Sequence, residues 1–310
     1  MYGYVIQRLL QGIIVLFLVS IATFGILQAA PGDPVETMLG EGATQLTQED
    51  YDRLLAKWGL DKPWYEQYFI WLGNFVTGDF GQSIVRAGVP VDEIVLEAAW
   101  PTVQLTSLSL GFAILFAIPA GMLAAIKRYS LFDSSIMVWA SAGIALPNFW
   151  VGLMLIILFA LYLGWLPPSG AGDWRHYVLP VFVLAINETA ILARLMRGSM
   201  LEVLGQDYIT TARAKGLREF FVIVRHAVRN AMLPIVTVIG LRMAFLLSGT
   251  VVVETIFAWP GIGQLFISSV FRADYQVVQA IVVLFTVLVI AANILTDLTY
   301  AVIDPRIRLN

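Results

Sequence analysis

Most of the chain consists of long apolar runs separated by shorter polar stretches. A helix needs about 20 mostly apolar residues to cross the hydrocarbon of a bilayer. Six stretches reach or approach that length: 9–30, the stretch between Glu97 and Lys127, 134–163, 177–193, 230–253 and 275–296. A further run, 255–271, is too short and contains Pro260, which predicts a loop or re-entrant segment packed on protein. The pattern predicts an all-α membrane protein with six transmembrane helices in a single domain, 1–310.

Composition and missing residue types narrow the function. Hydrophobic residues make up 59% of the chain and charged residues 13%, whereas soluble domains carry about 25% charged residues. The sequence has no cysteine, which excludes thiol nucleophiles and thiolate metal ligands. Its two histidines, His176 and His226, lie far apart. We therefore expect no catalytic, cofactor-binding or metal-binding residue and no enzymatic activity in this chain.

Lysine and arginine are distributed unevenly between the segments that join the spans. With the N-terminus in the cytoplasm, the short outer loops carry only Arg175 and Arg272. Cytoplasmic loops are enriched in these residues, so we expect both termini in the cytoplasm. The first run, 9–30, is longer than the apolar core of a cleaved signal peptide, which spans about 7–15 residues. We expect it to remain as a membrane span.

Residues 31–99 form a long acidic segment, which this orientation makes an extracytoplasmic insertion. A hydroxyl cap and acidic first turn predict a helix from Thr47 to Trp58, ending at Gly59. Pro63 opens a second predicted helix. Its aromatic residues include Trp64, Tyr68 and Trp71. They indicate a helix at the membrane interface, a docking surface for an extracytoplasmic partner, or both.

The basic stretch 194–230 contains signals for a short helix between the fourth and fifth spans. The fourth helix is predicted to continue to Leu204. Asp207 is a good N-cap, and Gly216 suits the left-handed position that ends a helix. A separate cytoplasmic helix is therefore predicted within 207–217.

One face of this short helix carries Tyr208, Thr211, Ala212 and Lys215, by the i, i+3, i+4, i+7 spacing. A helix of this length is marginal alone in water, so it must rest on its own bundle, on the membrane surface or on a partner. The residues alone leave two interpretations open. The segment is either an ordinary basic loop or a helix that inserts into a groove on a cytosolic protein.

The same stretch resembles a loop of permease subunits in ATP-binding-cassette importers. Residues 210–216, TTARAKG, are similar to their EAA-xxx-G loop, with Thr210 and Thr211 in place of Glu and Ala. Farther along, HAVR at 226–229 departs from the usual I-x-L-P. These departures, within DYITTARAKGL and RHAVRNAMLP, resemble the dipeptide/oligopeptide/nickel permease family.

Other matches to that family follow in order along the chain. They are APGDP at 30–34, LDKP at 60–63, GDFG at 78–81, ARLMR at 193–197, ETIF at 254–257, PGIG at 260–263 and DPR at 304–306. Each motif is weak alone, but their order and their places relative to the spans make the resemblance specific. The long outer segment after the first span is similar to that of the first permease of the pair.

The resemblance implies a translocation-pore subunit that operates by alternating access. The implied coupling helix, in contact with an ATP-binding subunit, comprises Asp207, Tyr208, Thr211, Ala212, Lys215 and Gly216. Other implied partners are a second homologous permease, one or two ATP-binding subunits and an extracytoplasmic substrate-binding protein. This chain has no G-x-x-x-x-G-K-[ST] loop, so ATP and Mg²⁺ are expected on the partner subunits. The implied location is a bacterial or archaeal cytoplasmic membrane.

The implied substrate is a dipeptide or oligopeptide, and the resemblance leaves other cargo open. Members of the same family are expected for nickel, oligosaccharide or another small solute, and the two permeases form either a homodimer or a heterodimer. An ion-coupled secondary transporter is a different class that would fit charges inside the membrane. Such proteins usually show internal repeats with interrupted helices, and no clear repeat is evident.

Four polar residues in or beside the spans are candidates for a pathway or gate: Glu188, Arg242, Asn148 and Glu254. Charged residues in lipid are costly and usually face the bundle interior. Helical rise puts Glu188 roughly 9 Å and Arg242 roughly 18 Å from the inner ends of their spans, which leaves pairing and pathway lining both open. Asn148 follows Pro147, where a kink is expected. Glu254 and the PGIG turn form either an outer gate or a cap on the bundle.

Overall fold

A computed structural model describes residues 2–29, 47–58, 61–83, 85–86 and 88–303. Gly59 and the APGDP and DPR motifs lie outside these residues. The regular structure of the described residues is helical, apart from an isolated antiparallel bridge between Gln82 and Pro90. It divides into two units, one built from Pro101–Gln264 and the stretch from Ala291, the other from Tyr2–Trp100 and Leu265–Ile290.

The helices follow the predicted order. They are α1 (Tyr2–Gln28), α2 (Gln48–Trp58), α3 (Trp64–Val76), α4 (Val91–Ile126), α5 (Leu131–Ala145), α6 (Asn148–Leu155), α7 (Arg175–Leu204), α8 (Asp207–Ala214), α9 (Glu219–Phe221), α10 (Arg229–Ile256), α11 (Ile262–Phe271) and α12 (Tyr275–Ile303). Two π-helical segments, Ile156–Tyr162 and Val222–Val228, extend α6 and join α9 to α10.

Six stretches of the described chain have the length and apolarity of a span when one bent pair is counted as a single span. Five are continuous helices, and the sixth is α5 with α6 and its π-helical extension. The prediction of six transmembrane helices is thus confirmed in number. The kink expected at Pro147 is confirmed, and it is a full break at which the pair bends by 103°. Leu146 is extended there (φ −80°, ψ 127°), as expected for a residue before proline.

The short apolar run after the fifth span contains a helix. The chain leaves α10, turns through Pro260 and forms the ten-residue α11. The prediction that this run packs on protein is confirmed at its start, where Trp259 and Ile262 are buried. The Trp259 indole Nε1 donates to the carbonyl oxygen of Pro101 at 3.1 Å.

Both helices predicted within 31–99 are present. Before α2, the Thr47 hydroxyl accepts from the backbone N–H of Asp50 at 3.3 Å, which is the predicted cap. Pro63 immediately precedes α3 and supplies the extended backbone from which that helix starts. The sequence signals therefore locate these two helices within one residue.

A core cluster joins α4, α7, α8 and α10. Its largest fully buried members are Leu192, Met196, Met200, Ile209 and Ile235. Small residues let the helices approach closely. A Cβ added at Gly121 in α4 would lie 2.5 Å from the carbonyl oxygen of Ala193 in α7, so only glycine fits at this crossing.

Candidate functional site

The short helix α8 lies between the end of α7 and the segment that leads into α10. Its predicted position is confirmed, since α7 ends at Leu204 and α8 spans Asp207–Ala214. The N-cap is Gln206 and not Asp207. Gln206 has the extended backbone of a cap (φ −80°, ψ 147°), and Asp207 is already in the first turn. A carboxylate there interacts favourably with the helix dipole.

One side of α8 is anchored in the core of its own chain. Ile209 has no exposed surface and Ala212 is 7% exposed, and both belong to the core cluster. Ala212, implied as part of the contact with an ATP-binding subunit, is therefore buried against its own chain and not available to a partner. An i, i+3, i+4 pattern identifies neighbours on a helix, but it does not say which side turns inward.

The exposed face of α8 follows from that anchor. At 3.6 residues per turn, the residues opposite Ile209 and Ala212 are Asp207, Thr210, Thr211 and Ala214, and all four are exposed. Tyr208 and Lys215 are exposed on one flank. We call Asp207, Thr210, Thr211 and Ala214 the outer face of α8. Sequence reasoning missed Thr210 and Ala214, and the apolar Ile209 was the signal that could have found them.

Both ends of α8 are held by further contacts. Asn230 Nδ2 donates to the Tyr208 hydroxyl at 3.1 Å and to the carbonyl oxygen of His226 at 2.8 Å. Gly216 ends the helix with φ +77°, as predicted. The Arg213 guanidinium donates to both Glu219 carboxylate oxygens, at 2.7 and 3.1 Å. These hydrogen bonds raise the pKa of Arg213 above its ordinary value.

Glu188 and Arg242 form an ion pair between α7 and α10. Arg242 Nε donates to Glu188 Oε2 at 3.0 Å, and Arg242 Nη2 donates to Asn187 Oδ1 at 3.2 Å. Glu188 is 6% exposed. The sequence left pairing and pathway lining open for these two residues, and in the structure they form a pair. Asn187 was not among the predicted residues, because a single amide within an apolar helix gives no sequence pattern that marks it as a partner of Arg242.

Glu254 caps the turn between α10 and α11. It is fully buried. One carboxylate oxygen accepts from the Thr102 hydroxyl at 2.7 Å, and the other accepts from the backbone N–H groups of Gly263 and Gln264 at 2.7 and 3.2 Å. A Cβ added at Gly261 would lie 2.4 Å from this carboxylate. These contacts hold the turn in place, and the choice between an outer gate and a cap on the bundle stays a prediction.

Comparison with known proteins identifies the family. The profile described as "binding-protein-dependent transport system inner membrane component" matches residues 117–309, and the profile of the N-terminal part of such components matches residues 1–91. The chain belongs to this permease family. It is the translocation-pore subunit of an ATP-driven importer, and its relatives are permease subunits rather than enzymes.

Curated relatives match the permease over almost its whole length. The oligopeptide transport system permease protein AppB of Bacillus subtilis is 44% identical over 317 residues, which covers 99% of each chain. The glutathione transport system permease protein GsiC of Escherichia coli strain K12 is 43% identical over 308 residues, again covering 99% of each chain.

Solved structures share the fold of the permease. A chain of the inward-facing MetNI methionine ABC transporter superposes with a TM-score of 0.57 at 17% identity, covering 68% of this chain and 96% of that one. A chain of an amino acid ABC transporter gives 0.52, also at 17% identity, covering 67% and 94%. At this identity the likeness is one of fold alone.

The other candidate residues that the sequence suggested lie on α6 and α3. Asn148 is half-buried and begins α6, directly after the break at Pro147. In α3 of the permease, Trp64 is 57% exposed and Trp71 is half-buried.

Tyr68 does not lie on an exposed docking surface as predicted. It is 3% exposed, its hydroxyl is hydrogen-bonded to Ser20 Oγ at 2.8 Å, and its ring meets Phe17 and Phe24 edge-on. Tyr68 therefore anchors α3 to α1. Its polar tip and aromatic body suit a buried position with one hydrogen-bond partner.

Proposed function

We propose that this permease imports short peptides across a bacterial or archaeal cytoplasmic membrane. The relatives named for oligopeptide and glutathione transport support a peptide-like substrate. The proposed assembly contains a second homologous permease, one or two ATP-binding subunits and an extracytoplasmic substrate-binding protein. Both termini lie in the cytoplasm in this proposal, because that orientation puts most of the lysine and arginine inside.

The proposed contact with an ATP-binding subunit is the outer face of α8. The observation that carries it is the two-sided character of this helix, with Ile209 and Ala212 buried and Thr210 and Thr211 exposed. An exposed loop with no anchor would move without effect on the bundle. A helix fixed in the core by apolar side chains transmits a push on its outer face to α7 and α10.

The energy source in this proposal lies outside the chain. ATP and Mg²⁺ bind the partner subunits, and closure of those subunits displaces α8. The permease pair then alternates between inward-open and outward-open states. Two-state switching of this kind requires packed elements that move as units, and the core cluster that joins α4, α7, α8 and α10 supplies such a unit.

The polar residues inside the bundle have distinct proposed roles. Glu188 and Arg242 neutralise each other and hold α7 to α10, which supports a structural role over an ion pathway. Glu254 holds the start of α11. Asn148 is the remaining candidate for the pathway, since it stands at the break of the third span. Trp64 and Trp71 are the remaining candidates for contact with the binding protein.

Uptake by the reconstituted complex tests this function. The permease is co-expressed with its genomic neighbours and incorporated into liposomes loaded with ATP, and uptake of labelled glutathione and of a labelled tetrapeptide is measured with the binding protein outside. We expect ATP-dependent uptake of at least one of them. Loading with a non-hydrolysable analogue is the control, and uptake that persists with the analogue would contradict the proposal. Nickel and an oligosaccharide serve as alternative cargo.

A further inference from the structure

We propose that Asp133 and Arg197 are positioning residues, which form the joint through which movement of α8 reaches the broken third span. This inference rests on the proposed contact of α8 with an ATP-binding subunit. The two residues lie on α5 and α7, far apart in sequence and outside the sites described above. Asp133 is buried, with 3% of its surface exposed, and the side chain of Arg197 is 23% exposed.

The pair has the geometry of a rigid link. Arg197 Nε donates to Asp133 Oδ1 at 2.5 Å, and Arg197 Nη2 donates to Asp133 Oδ2 at 2.7 Å. Two parallel hydrogen bonds between a planar guanidinium and a carboxylate fix orientation as well as distance. Apolar contacts between the same helices would permit sliding, and this pair opposes it.

The Asp133 carboxylate also organises the start of α5. Its Oδ2 accepts from the backbone N–H of Tyr129 at 3.0 Å, and the Asp133 backbone N–H donates to Ser130 Oγ at 3.2 Å. Tyr129 has φ 63°, a left-handed conformation uncommon for a bulky residue. The carboxylate thus secures the turn before α5 and ties it to α7 at once.

The joint lies close to α8 along an unbroken helix. Arg197 precedes Leu204 by seven residues, which is roughly 10 Å of helix. Only Gly205 and Gln206 then separate α7 from α8. At the same level, a Cβ added at Gly121 of α4 would lie 2.7 Å from Met196 Cβ and 3.1 Å from the Arg197 nitrogen. Three helices therefore meet in one tight layer beside the Arg197 turn.

The other end of the joint leads to the break in the third span. From Asp133, α5 runs to Ala145, and α6 departs at 103° after Leu146 and Pro147. A shift of α8 that is carried by α7 therefore reaches this bend through Asp133. A displacement of α5 changes the angle between α5 and α6 at this bend.

The test compares coupling in four forms of the complete transporter. Asp133→Asn keeps an oxygen for the Tyr129 N–H but removes the charge, and Arg197→Lys keeps the charge but removes the two-pronged contact. Glu49→Gln, in the exposed Glu49–Arg53 pair of α2, is the matched control. For each form we measure recovery of the ATP-binding subunits with the permease, binding-protein-stimulated ATP hydrolysis, and uptake of labelled glutathione or tetrapeptide, whichever the unmodified transporter takes up.

We expect Asp133→Asn and Arg197→Lys to recover ATP-binding subunits normally and to hydrolyse ATP, while uptake per ATP falls by about ten-fold, within the usual range of coupling between sites. The control should keep the unmodified ratio. An unchanged ratio in both pair variants would overturn the inference. So would loss of the complex in both, since that identifies the pair as a folding element.

A reversible cross-link between positions 133 and 197 tests whether the pair acts through its rigidity or through its charge. The chain has no cysteine, so the double variant Asp133→Cys with Arg197→Cys carries the only two thiols of the permease. Joined by a short cross-linker that forms a disulfide with each thiol, it should regain uptake per ATP, and the gain should vanish when the disulfides are reduced. Cross-linker on the unmodified transporter is the control. No recovery of coupling in the linked form would contradict a mechanical joint.

These outcomes are distinguishable from failure of the proposed function. If large substitutions on the outer face of α8 leave the recovery of ATP-binding subunits unchanged, the proposed contact fails whatever the pair variants do. If that recovery depends on α8 but the pair variants transport with a normal ratio, only the joint fails.

Discussion

Two connections between helices of this permease are built on opposite principles. The segment from α7 to α10 contains α8, which buries Ile209 and Ala212 and leaves its outer face exposed. The turn from α10 to α11 is closed on itself, because Glu254 is fully buried and accepts three hydrogen bonds. The first connection has a surface available to a partner, and the second has satisfied its polar groups internally.

The difference separates two uses of polar residues near the spans. A buried carboxylate with several donors stabilises local structure, and its removal leaves donors without partners. Exposed hydroxyls and a carboxylate on an anchored helix add little to folding. Substitutions in the two connections should therefore differ most in how stability and assembly respond, and the predictions below run from the largest effect on stability to the smallest.

Replacing Glu254 should have the largest effect. Glu254→Ala leaves the Thr102 hydroxyl and two backbone N–H groups without an acceptor, at a cost of about 1–3 kcal/mol for each buried group. We expect a marked fall in thermal stability, followed as monodisperse protein after heating in detergent. Glu254→Gln keeps one acceptor oxygen, and its thermal stability should lie between those of the wild type and Glu254→Ala. Wild-type stability of Glu254→Ala would mean that the turn is not held by this carboxylate.

Removing the apolar anchor of α8 should come next. Ile209→Ala deletes a fully buried side chain, which typically costs about 2–5 kcal/mol. The same heating assay should show a lower midpoint. Thr210→Ala, on the outer face, is the matched control and should stay near the wild type. Equal midpoints for the two variants would show that α8 is not anchored through Ile209.

A single methyl group should distinguish the crowded turn from open helix surface. Gly261→Ala puts a Cβ against the Glu254 carboxylate, where the contact would be 2.4 Å, and such overpacking costs about 1–3 kcal/mol. Gly198→Ala, in α7, meets nothing within 4 Å and should gain up to about 1 kcal/mol from helix propensity. Opposite shifts of the melting midpoint are expected, and shifts of the same sign would contradict the close contact.

The ion pair that closes the loop after α8 should matter least to stability. Arg213 and Glu219 are partly exposed, and exposed pairs are worth about 0–1 kcal/mol. Glu219→Gln should leave the melting midpoint within error at pH 7. A large loss would indicate that the loop after Gly216 carries more of the fold than its exposure implies.

Local features of the chain were readable from the sequence. Apolar length gave the six spans, Gly216 gave the end of α8, and Thr47 and Pro63 gave the starts of α2 and α3. Each of these depends on residues adjacent along the chain, whose propensities act whatever lies across the bundle.

The sequence did not predict which side chains face the interior of the bundle or which distant residues contact each other. The inward turn of Ala212, the burial of Tyr68 and the hydrogen bonds of Glu254 depend on residues distant in sequence, such as Ser20 and Thr102. The estimated depths of Glu188 and Arg242 left pairing open because helix ends do not coincide with membrane boundaries; α7, for example, runs eleven residues beyond the predicted end of its span.

The proposed function depends on contact between the outer face of α8 and the ATP-binding subunits. The most direct measurement is recovery of those subunits when the permease is purified with either Thr211→Trp or Thr77→Trp. Thr211 and Thr77 are both exposed, and Thr77 directly follows α3, in the segment proposed to lie outside the cytoplasm. We expect intact permease in both cases, with the ATP-binding subunits lost only from Thr211→Trp. Normal recovery with Thr211→Trp would contradict it.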